Sequence, residues 1–427
     1  MRRTAALALA ALAGLAMALP ASAQAPVEVN LEVIGHSDLG GGTAWDDVAV
    51  AGTTAVVSGA PGPGACPGTP PKVVDLKDPR HPRPVADLPV PAGVAVVDLD
   101  ATGDLVVAAT RTCGRPEGLL YFDVTDPSQP RLVGQTARTE PAAVAMAARG
   151  DGRVVVATVS TAGVVVDDAT DPSHPVTPAR WASPAGDGSS IGGCGPVTSG
   201  VGLAEAGDRA VAVFGDGAVY DLDVPDPAQI VPVGHAPPSA AAGRPSFATV
   251  VPVGRRTLAV VSEQDRACGA DNQAGRGLRL LALDRQSGPA DAGEVRLPSP
   301  AAPGRVAASG ELAFVAWHAD GLRVVDLGQV SPRVVAQFIP GAADVVGVAI
   351  QPDHVLAVDR ASGLYVLRRP DEGSPESLAQ KIKNAAGFVI FPLGAALLIT
   401  VPRLAMGRQG ATSRSRAPVP ARVPRRR

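Results

Sequence analysis

Aromatic side chains are scarce in this sequence, since Phe, Trp and Tyr together make up only 3% of its 427 residues. Apolar residues still amount to 46%. A buried core of ordinary size can therefore form, but Val, Ala and Leu must supply most of it. Val-rich runs favour strands, because β-branched side chains pack well on a pleated surface.

Positive charge is scarce between the two ends of the chain. The formal net charge is −3, from 38 basic and 41 acidic residues. Twelve basic residues lie at positions 2–3, at 381–383 and beyond 401, which leaves 26 beside all 41 acidic residues and a charge near −15 for the region between. Nucleic-acid binding depends on basic surfaces that neutralise phosphates, so the composition argues against a nucleic-acid partner.

The familiar catalytic motifs are missing as well. The sequence has no G-x-S-x-G elbow, no Walker loop, no H-E-x-x-H and no G-x-G-x-x-G in a βαβ setting. The three glycines at 40–42 precede a predicted strand and form a loop, not a phosphate cradle. No organic cofactor is predicted.

The N-terminus has the pattern of a secretory signal. Arg2 and Arg3 precede an apolar run over residues 5–19, and Ala21-Ser22-Ala23 is a small-residue cleavage box. We expect a signal peptide over residues 1–23, which takes no part in the fold.

Near the C-terminus the sequence predicts a membrane anchor. Residues 385–401 (AAGFVIFPLGAALLITV) carry no charge and reach the lower limit of about 17 residues for a transmembrane helix. The Arg-rich segment that follows contains no acidic residue, which predicts a cytoplasmic tail by the positive-inside rule. We therefore expect a linker at 370–384, one transmembrane helix at 385–402 and a cytoplasmic tail at 403–427.

The region between these segments repeats one phrase. A Val- and Leu-rich run ends in Asp and is followed by Asp-Pro and a further Pro. The phrase reads VVDLKDPRHP at 73–82, LYFDVTDPSQP at 120–130, VVDDATDPSHP at 165–175 and LDVPDPAQI at 222–230, with eroded copies at 280–289 and 324–332. Four short strands per unit of about forty residues are typical of a propeller blade.

The predicted inner strands indicate seven blades. They lie near residues 48–52, 94–100, 144–148, 201–206, 247–253, 306–309 and 345–350. The seventh unit lacks a fourth strand, and LEVIGH at 31–36 resembles the fourth strand IVPVGH at 230–235. The sequence thus predicts an all-β seven-bladed β-propeller over 24–369, whose N-terminal strand closes the last blade. Six blades remain an alternative if unit five is a long insertion.

Two stretches resemble the LVIVD-repeat proteins, a family of bacterial and archaeal surface repeats. They are LYFDVTDPSQPRLVG at 120–134 and DGLRVVDLGQVSPRVVAQ at 320–337. The resemblance covers about residues 30–367 and implies a cell-surface binding or scaffolding role on a β-propeller. It brings no catalytic residues with it.

The repeated Asp-Pro pairs are predicted to be turn residues. The Asp side chain can accept a hydrogen bond from the backbone two residues ahead, while Pro presets φ. A ring of cation-binding carboxylates is the functional alternative. Calcium, however, needs six to eight oxygen ligands at one point, and these pairs occur once per blade.

Four cysteines in an exported chain suggest two disulfides. Cys66 and Cys113 lie between the second and third strands of neighbouring blades, Cys268 lies in the corresponding loop of blade five, and Cys194 precedes blade four. All four loops emerge on one face of a propeller, and we predict the pairs Cys66–Cys113 and Cys194–Cys268. Such disulfides would hold long loops of the kind that bind ligands.

A candidate binding site lies at the central mouth on that face, where the inner strands begin. The residues at these positions, with two more at the end of a second strand, are Trp45, Asp46, Gly93, Glu140, Ser199, Arg244, Arg305, Trp317, His318 and Asp344. Together they form a polar funnel suited to a charged or sugar-like ligand. The acidic loop at 263–272 is where Ca²⁺ would bind, if any binds.

The sequence thus favours an exported, single-pass membrane protein whose propeller faces the extracytoplasmic side. Its predicted role is non-catalytic binding or scaffolding of a surface protein or glycan. The alternative is a metal-assisted hydrolase or lactonase-like propeller, with Asp46, Glu140 and Asp344 holding a metal at the mouth.

Overall fold

A computed structural model describes residues 26–60, 68–112, 118–137, 141–160, 163–182, 200–214, 217–239, 244–264 and 277–370. The chain divides into two units, residues 1–375 and 376–427, and every described residue belongs to the first. The predicted signal peptide, membrane span and tail lie outside the described residues. Among those described, no helix has the length and apolar character needed to cross a bilayer.

Seven antiparallel sheets form the blades of a β-propeller, which confirms the predicted all-β, seven-bladed architecture. Two strands precede blade one: β1 Val27–Val29 and β2 Glu32–Ser37. Blades one to three contain β3 Trp45–Ala51, β4 Thr54–Gly59, β5 Lys72–Asp75, β6 Arg83–Asp87; β7 Val94–Thr102, β8 Leu105–Thr112, β9 Gly118–Asp123, β10 Arg131–Ala137; β11 Ala143–Ala148, β12 Val154–Ser160, β13 Gly163–Asp168 and β14 Val176–Ala182. Blades four and five contain β15 Gly200–Leu203, β16 Arg209–Val213, β17 Val219–Asp226, β18 Gln229–Ala236; β19 Arg244–Val253, β20 Arg256–Gln264, β21 Gly277–Asp284 and β22 Gly288–Val295. Blades six and seven contain β23 Val306–Ser309, β24 Leu312–Ala316, β25 Leu322–Asp326, β26 Arg333–Ile339; β27 Val345–Ile350, β28 His354–Asp359 and β29 Gly363–Arg368.

The N-terminal segment closes the ring. Strand β2 pairs antiparallel with β29 and supplies the fourth strand of blade seven, as predicted. Strand β1 was not predicted, and it adds a fifth strand to blade six by pairing with β26. A segment of eleven residues at the start of the domain thus joins the last two blades, whose edges would otherwise be open.

Hydrophobic clusters lie between neighbouring blades. Seven of them occur in the described residues, one for each pair of adjacent blades. Val and Ala dominate these clusters, and Val57, Val107 and Val156 are fully buried. A buried Val side chain contributes about 1.5–3 kcal/mol, so repetition of small contributions replaces the few large ones that aromatic residues give.

The Asp-Pro pairs form the predicted turns between the third and fourth strands. Asp126 Oδ1 accepts a hydrogen bond from the backbone N of Ser128 at 3.0 Å, and Asp171 Oδ1 accepts one from Ser173 N at 3.0 Å. Asp78 and Asp226 bond in the same way, two residues ahead. These turns lie on the face where the inner strands end, which we call the turn face. The opposite face, where the inner strands begin, is the mouth face.

A glycine in the outer strand receives the Asp-Pro turn of the next blade. An ideal Cβ on Gly35 would lie 2.1 Å from the carbonyl oxygen of Pro79, and one on Gly134 would lie 1.7 Å from that of Pro172. Both glycines follow a β-bulge, which brings the backbone toward the neighbouring blade. The Gly and the Asp-Pro of the repeat are therefore two sides of one contact between blades.

Candidate functional site

A charged cluster lies on the mouth face where blades six, seven and one meet. Asp344 Oδ1 lies 2.8 Å from His318 Nδ1, and its Oδ2 accepts a hydrogen bond from Arg360 Nε at 2.9 Å. Arg360 Nη1 also lies 3.4 Å from Asp46 Oδ1. Each of these four side chains is 30–40% exposed. We call Asp46, His318, Asp344 and Arg360 the mouth cluster.

Backbone bonds between blades hold the mouth cluster in place. His318 has a positive φ of 45° and exchanges two backbone hydrogen bonds with Val345 of the next blade, at 2.9 and 3.0 Å. The backbone N of Trp45 donates to the carbonyl of Arg360 at 3.0 Å. The αL conformation of a non-glycine residue costs free energy, and the two bonds to Val345 offset that cost.

The electrostatics of the mouth cluster are balanced internally. Burial acts to raise the pKa of Asp344, but the hydrogen bonds with His318 and Arg360 outweigh it and hold that pKa below its usual range. Arg360 thus stands as a fixed cation between two carboxylates, Asp344 and Asp46. Paired in this way, the cluster offers hydrogen-bonding groups and little net charge to a ligand.

Deeper in the ring, Arg305 of blade six contacts residues of three other blades. Its Nε lies 2.8 Å from Asp47 Oδ1, and its Nη1 donates to Asp98 Oδ1. Its Cζ lies 4.9 Å from the centroid of the Phe247 ring, a cation–π contact. Burial disfavours the charge on Arg305, yet the Asp47 and Asp98 carboxylates outweigh it and raise the pKa, so the guanidinium stays charged.

The same carboxylates join neighbouring inner strands. Asp47 Oδ2 accepts a hydrogen bond from Leu99 N at 2.9 Å, and Asp98 Oδ2 accepts one from Val144 N at 2.7 Å. Burial raises the pKa of Asp47 to about 8, although Arg305 acts against it. Each carboxylate therefore links its own strand, the next blade and Arg305.

These groups line a central cavity of about 340 Å³. Apart from the polar groups Asp47, Asp98, Asp100, Thr249 and Arg305, its walls are largely Val and Ala of the inner strands. Asp100 Oδ2 accepts a hydrogen bond from Met146 N at 2.6 Å. Burial raises the pKa of Asp100 to about 7, against the effect of its backbone hydrogen bonds.

Some predicted site residues come together, and others lie elsewhere. Asp46, His318 and Asp344 share the mouth cluster, and Arg305 lies deeper. Trp45 and Trp317 belong to the hydrophobic cores, each 1% exposed, and the Trp317 indole donates to the Ala301 carbonyl at 3.1 Å. The two tryptophans therefore offer no open ring face at the mouth.

Most of the remaining predicted residues lie outside the described residues, and Arg244 and Glu263 lie within them. Glu140, Ser199 and all four predicted disulfide cysteines, Cys66, Cys113, Cys194 and Cys268, are outside, as are residues 265–272 of the acidic loop. Arg244 begins β19, where it pairs with Gln264. Glu263 is described and is 1% exposed, with Oε2 3.7 Å from an Arg296 nitrogen.

Four residues of the candidate site were not singled out from the sequence: Asp47, Asp98, Asp100 and Arg360. The sequence does contain a pattern that could have identified Asp98 and Asp100. Two carboxylates at alternate positions of an apolar strand lie on the same face of that strand. Among the residues described, no group of three or more His, Cys, Asp or Glu side chains is placed to hold a metal ion.

Comparison with known proteins identifies the fold of this chain but neither its family nor its function. No protein-family model and no curated protein matches the sequence. The Cps50 (Swd1) β-propeller domain of Myceliophteria thermophila is 14% identical, with a TM-score of 0.52 over 80% of this chain and 98% of that one. Sqt1 of Chaetomium thermophilum is 15% identical, with a TM-score of 0.51 over 78% of this chain and 86% of that one. Raptor of the same organism is 15% identical with a TM-score of 0.54, and the match spans 81% of this chain but 29% of Raptor. These likenesses establish a β-propeller.

Proposed function

We propose that this protein is an exported, membrane-anchored β-propeller that binds a surface protein or glycan without catalysis, as the resemblance to LVIVD-repeat proteins implies. Binding would occur on the mouth face. Residues 1–23 would direct export, and residues 385–402 would anchor the chain with its propeller on the extracytoplasmic side.

The position of Arg360 is the observation that supports the non-catalytic part of the proposal. A metal-assisted hydrolase at the mouth would need Asp46 and Asp344 to coordinate the same ion. Instead both carboxylates contact Arg360, at 3.4 and 2.9 Å. A guanidinium between two carboxylates repels a divalent cation and leaves their lone pairs engaged.

A second line of support is the form of the mouth face. The mouth cluster is half-exposed and cross-linked by ion pairs and backbone bonds, so its polar atoms are fixed before a ligand arrives. A fixed polar surface on a rigid body loses little conformational entropy on binding.

A photo-crosslinking experiment tests the binding role. A photoreactive amino acid replaces exposed Ala361, next to Arg360 on the mouth face, in the full-length chain in its own membrane. The matched control replaces exposed Arg255 in the hairpin of the turn face. We expect a discrete adduct from position 361 that falls at least fivefold in Arg360→Ala, and none from position 255. Equal adducts from both positions would contradict a binding site on the mouth face.

Elemental analysis tests the non-catalytic part separately. The full-length chain is purified without chelator, and bound metal is measured. Less than about 0.1 ion per chain is expected, and about one tightly held ion per chain would favour the hydrolase instead.

A further inference from the structure

On the turn face, polar side chains connect the hairpins of neighbouring blades. Each of these hairpins joins the first and second strands of its blade. Arg149 of blade three donates from Nη1 to the carbonyls of Gly207 and Val224 in blade four, at 3.0 and 2.9 Å. Gln351 of blade seven donates from Nε2 to the carbonyl of Gly52 in blade one, at 2.7 Å. At both junctions the residue directly after the inner strand therefore supplies an N–H donor to the next blade.

The junction between blades four and five lacks such a donor from the inner strand. The residue directly after β15 is Ala204, whose methyl group cannot donate a hydrogen bond. The Ala204 carbonyl accepts a hydrogen bond from the backbone N three positions ahead, as the Arg149 carbonyl does. The two residues thus occupy the same position of their turns, and a methyl group stands in blade four where blade three has a guanidinium.

A second departure from the repeat occurs at the same junction. In four other blades, the residue after the Asp that ends the third strand is a buried apolar residue packed against the preceding blade: Leu76, Val124, Ala169 and Leu327. In blade five the corresponding residue is Arg285, whose side chain is 50% exposed. Its guanidinium extends to blade four, where it contacts Asp208 Oδ2 at 2.5 Å and Asp223 Oδ1 at 2.9 Å. Ion pairs at the surface therefore replace an apolar contact between blades.

A cavity of about 410 Å³ lies at this junction, lined by both exchanged residues, Ala204 and Arg285. Val250 and Pro252 of the inner strand β19 add apolar walls, and Glu205 adds a carboxylate. Pockets that bind small molecules have volumes of about 300–1,000 Å³ and mostly apolar walls with a few polar groups. The cavity therefore has the size and character that suit a small ligand.

The charges around the cavity favour a cationic ligand. Arg209, which also lines it, is neutralised by Asp221 through two hydrogen bonds at 2.8 and 2.5 Å. Arg285 pairs with the two carboxylates of blade four. Glu205 is exposed and has no ion pair among the described residues. Three carboxylates thus surround the one guanidinium of Arg285, and this excess of negative charge attracts a cation.

We infer that this cavity binds a small molecule that carries a guanidinium group. The guanidinium takes the place that Arg149 holds at the preceding junction, where the Arg149 side chain is only 12% exposed. Arg149 Nε lies 3.6 Å from Asp151 Oδ2, a carboxylate of its own hairpin, and Glu205 supplies the carboxylate in the hairpin of blade four. A guanidinium pairs with a carboxylate through a planar fork of donors and is less strongly hydrated than an ammonium, so it suits a carboxylate beside apolar walls.

Two matched probes test the chemistry of the ligand. Butylguanidinium and pentylammonium carry the same charge on apolar chains of similar length. Saturation-transfer NMR measures their binding to the full-length chain in mild detergent. Butylguanidinium should bind at least fivefold more tightly than pentylammonium. Equal binding of the two probes, or no binding at millimolar concentration, would overturn the inference.

Variants of the chain test the site itself. Glu205→Gln removes the free carboxylate and should weaken butylguanidinium binding at least fivefold. Its matched control is Glu311→Gln, because Glu311 is also exposed and lies in the first hairpin of blade six, on the same face. The control should change binding less than twofold, and an equal loss in both variants would overturn the inference. Ala204→Arg supplies a guanidinium from the chain itself and should no longer bind the probe, so full binding by the folded variant would overturn the inference as well.

The cavity lies on the turn face, so this inference does not depend on the proposed binding role of the mouth face. Crosslinks from position 361 should persist in Glu205→Gln, and the two can therefore fail independently. A protein adduct from position 255 that is lost in Glu205→Gln would assign the cavity to an arginine of a partner protein and would overturn the assignment to a small molecule.

Discussion

Gly134→Ala should loosen the contact between blades two and three. The added Cβ would lie 1.7 Å from the Pro172 carbonyl oxygen and 2.8 Å from its carbon. An ordinary contact needs about 3.4 Å, so the carbonyl must move by about 1.7 Å. That shift would disturb the turn in which Asp171 accepts the bond from Ser173 N. Overpacking of this kind costs about 1–3 kcal/mol, and we expect about 3 kcal/mol because backbone must move.

Gly150→Ala is the matched control. It lies in the same blade as Pro172, and its Cβ would meet nothing within 4 Å. Replacing a glycine of permissive conformation stabilises a protein by up to about 1 kcal/mol, because the unfolded chain loses freedom. Both variants add the same methyl group to a glycine, and they differ only in the atoms that surround it.

Urea unfolding of the full-length chain in mild detergent, followed by tryptophan fluorescence, measures both variants. Trp45 and Trp317 are each 1% exposed, so their emission should shift to longer wavelength on unfolding. Gly134→Ala should unfold at clearly lower urea than wild type, and Gly150→Ala should not. Equal stability of the two variants would refute the contact between the repeat's glycine and the Asp-Pro turn.

Three other predictions concern the central cavity and the membrane. Arg305→Met leaves the Asp47 and Asp98 carboxylates without their shared cation, so the free energy of unfolding should fall by about 3–5 kcal/mol at pH 8. The loss should be smaller at pH 5, below the pKa of about 8 of the Asp47 carboxyl, and an equal loss at both pH values would contradict the role of Arg305. The pKa values of Asp47 and Asp100 are raised to about 8 and 7, so the stability they contribute is complete below about pH 4 and is lost as pH rises through 7 and 8. The melting temperature of wild type should therefore fall from about pH 4 to about pH 8, and Asp100→Asn should flatten that slope. An epitope inserted after Gly254 should be accessible on intact cells while one appended to Arg427 should not, and the reverse pattern would exclude the proposed orientation.

Local chemistry explains why the fold could be predicted. A turn such as Asp126-Pro127 forms from its own residues, since the carboxylate bonds the backbone two positions ahead. Repetition of the phrase that contains this turn predicted a four-stranded unit, and the count of inner strands predicted seven blades. The match between LEVIGH and the fourth strand of blade four likewise predicted closure by β2, because equivalent strands carry equivalent residues.

The short strand β1 could not be predicted in the same way. Three residues, VEV, carry no periodicity, and the strand exists because the uncovered edge of β26 lies within reach of the chain that leads into β2. Its partner residues lie more than three hundred positions away in sequence, so only the closed ring brings them together.

The site shows the same division between local and tertiary causes. The sequence determined that acidic and basic residues begin the inner strands, and it therefore located Asp46, Arg305 and Asp344. In β3, a bulge decided where the neighbouring carboxylates of Asp46 and Asp47 point. Strand β3 shifts register between Trp45 and Asp47. The Asp46 side chain therefore lies at the mouth, while the Asp47 side chain lines the central cavity and accepts a hydrogen bond from Leu99 N. A shift of one residue reverses the face of every side chain beyond it, and this shift arises in the pairing of β3 with β4, not in the residues of β3 alone.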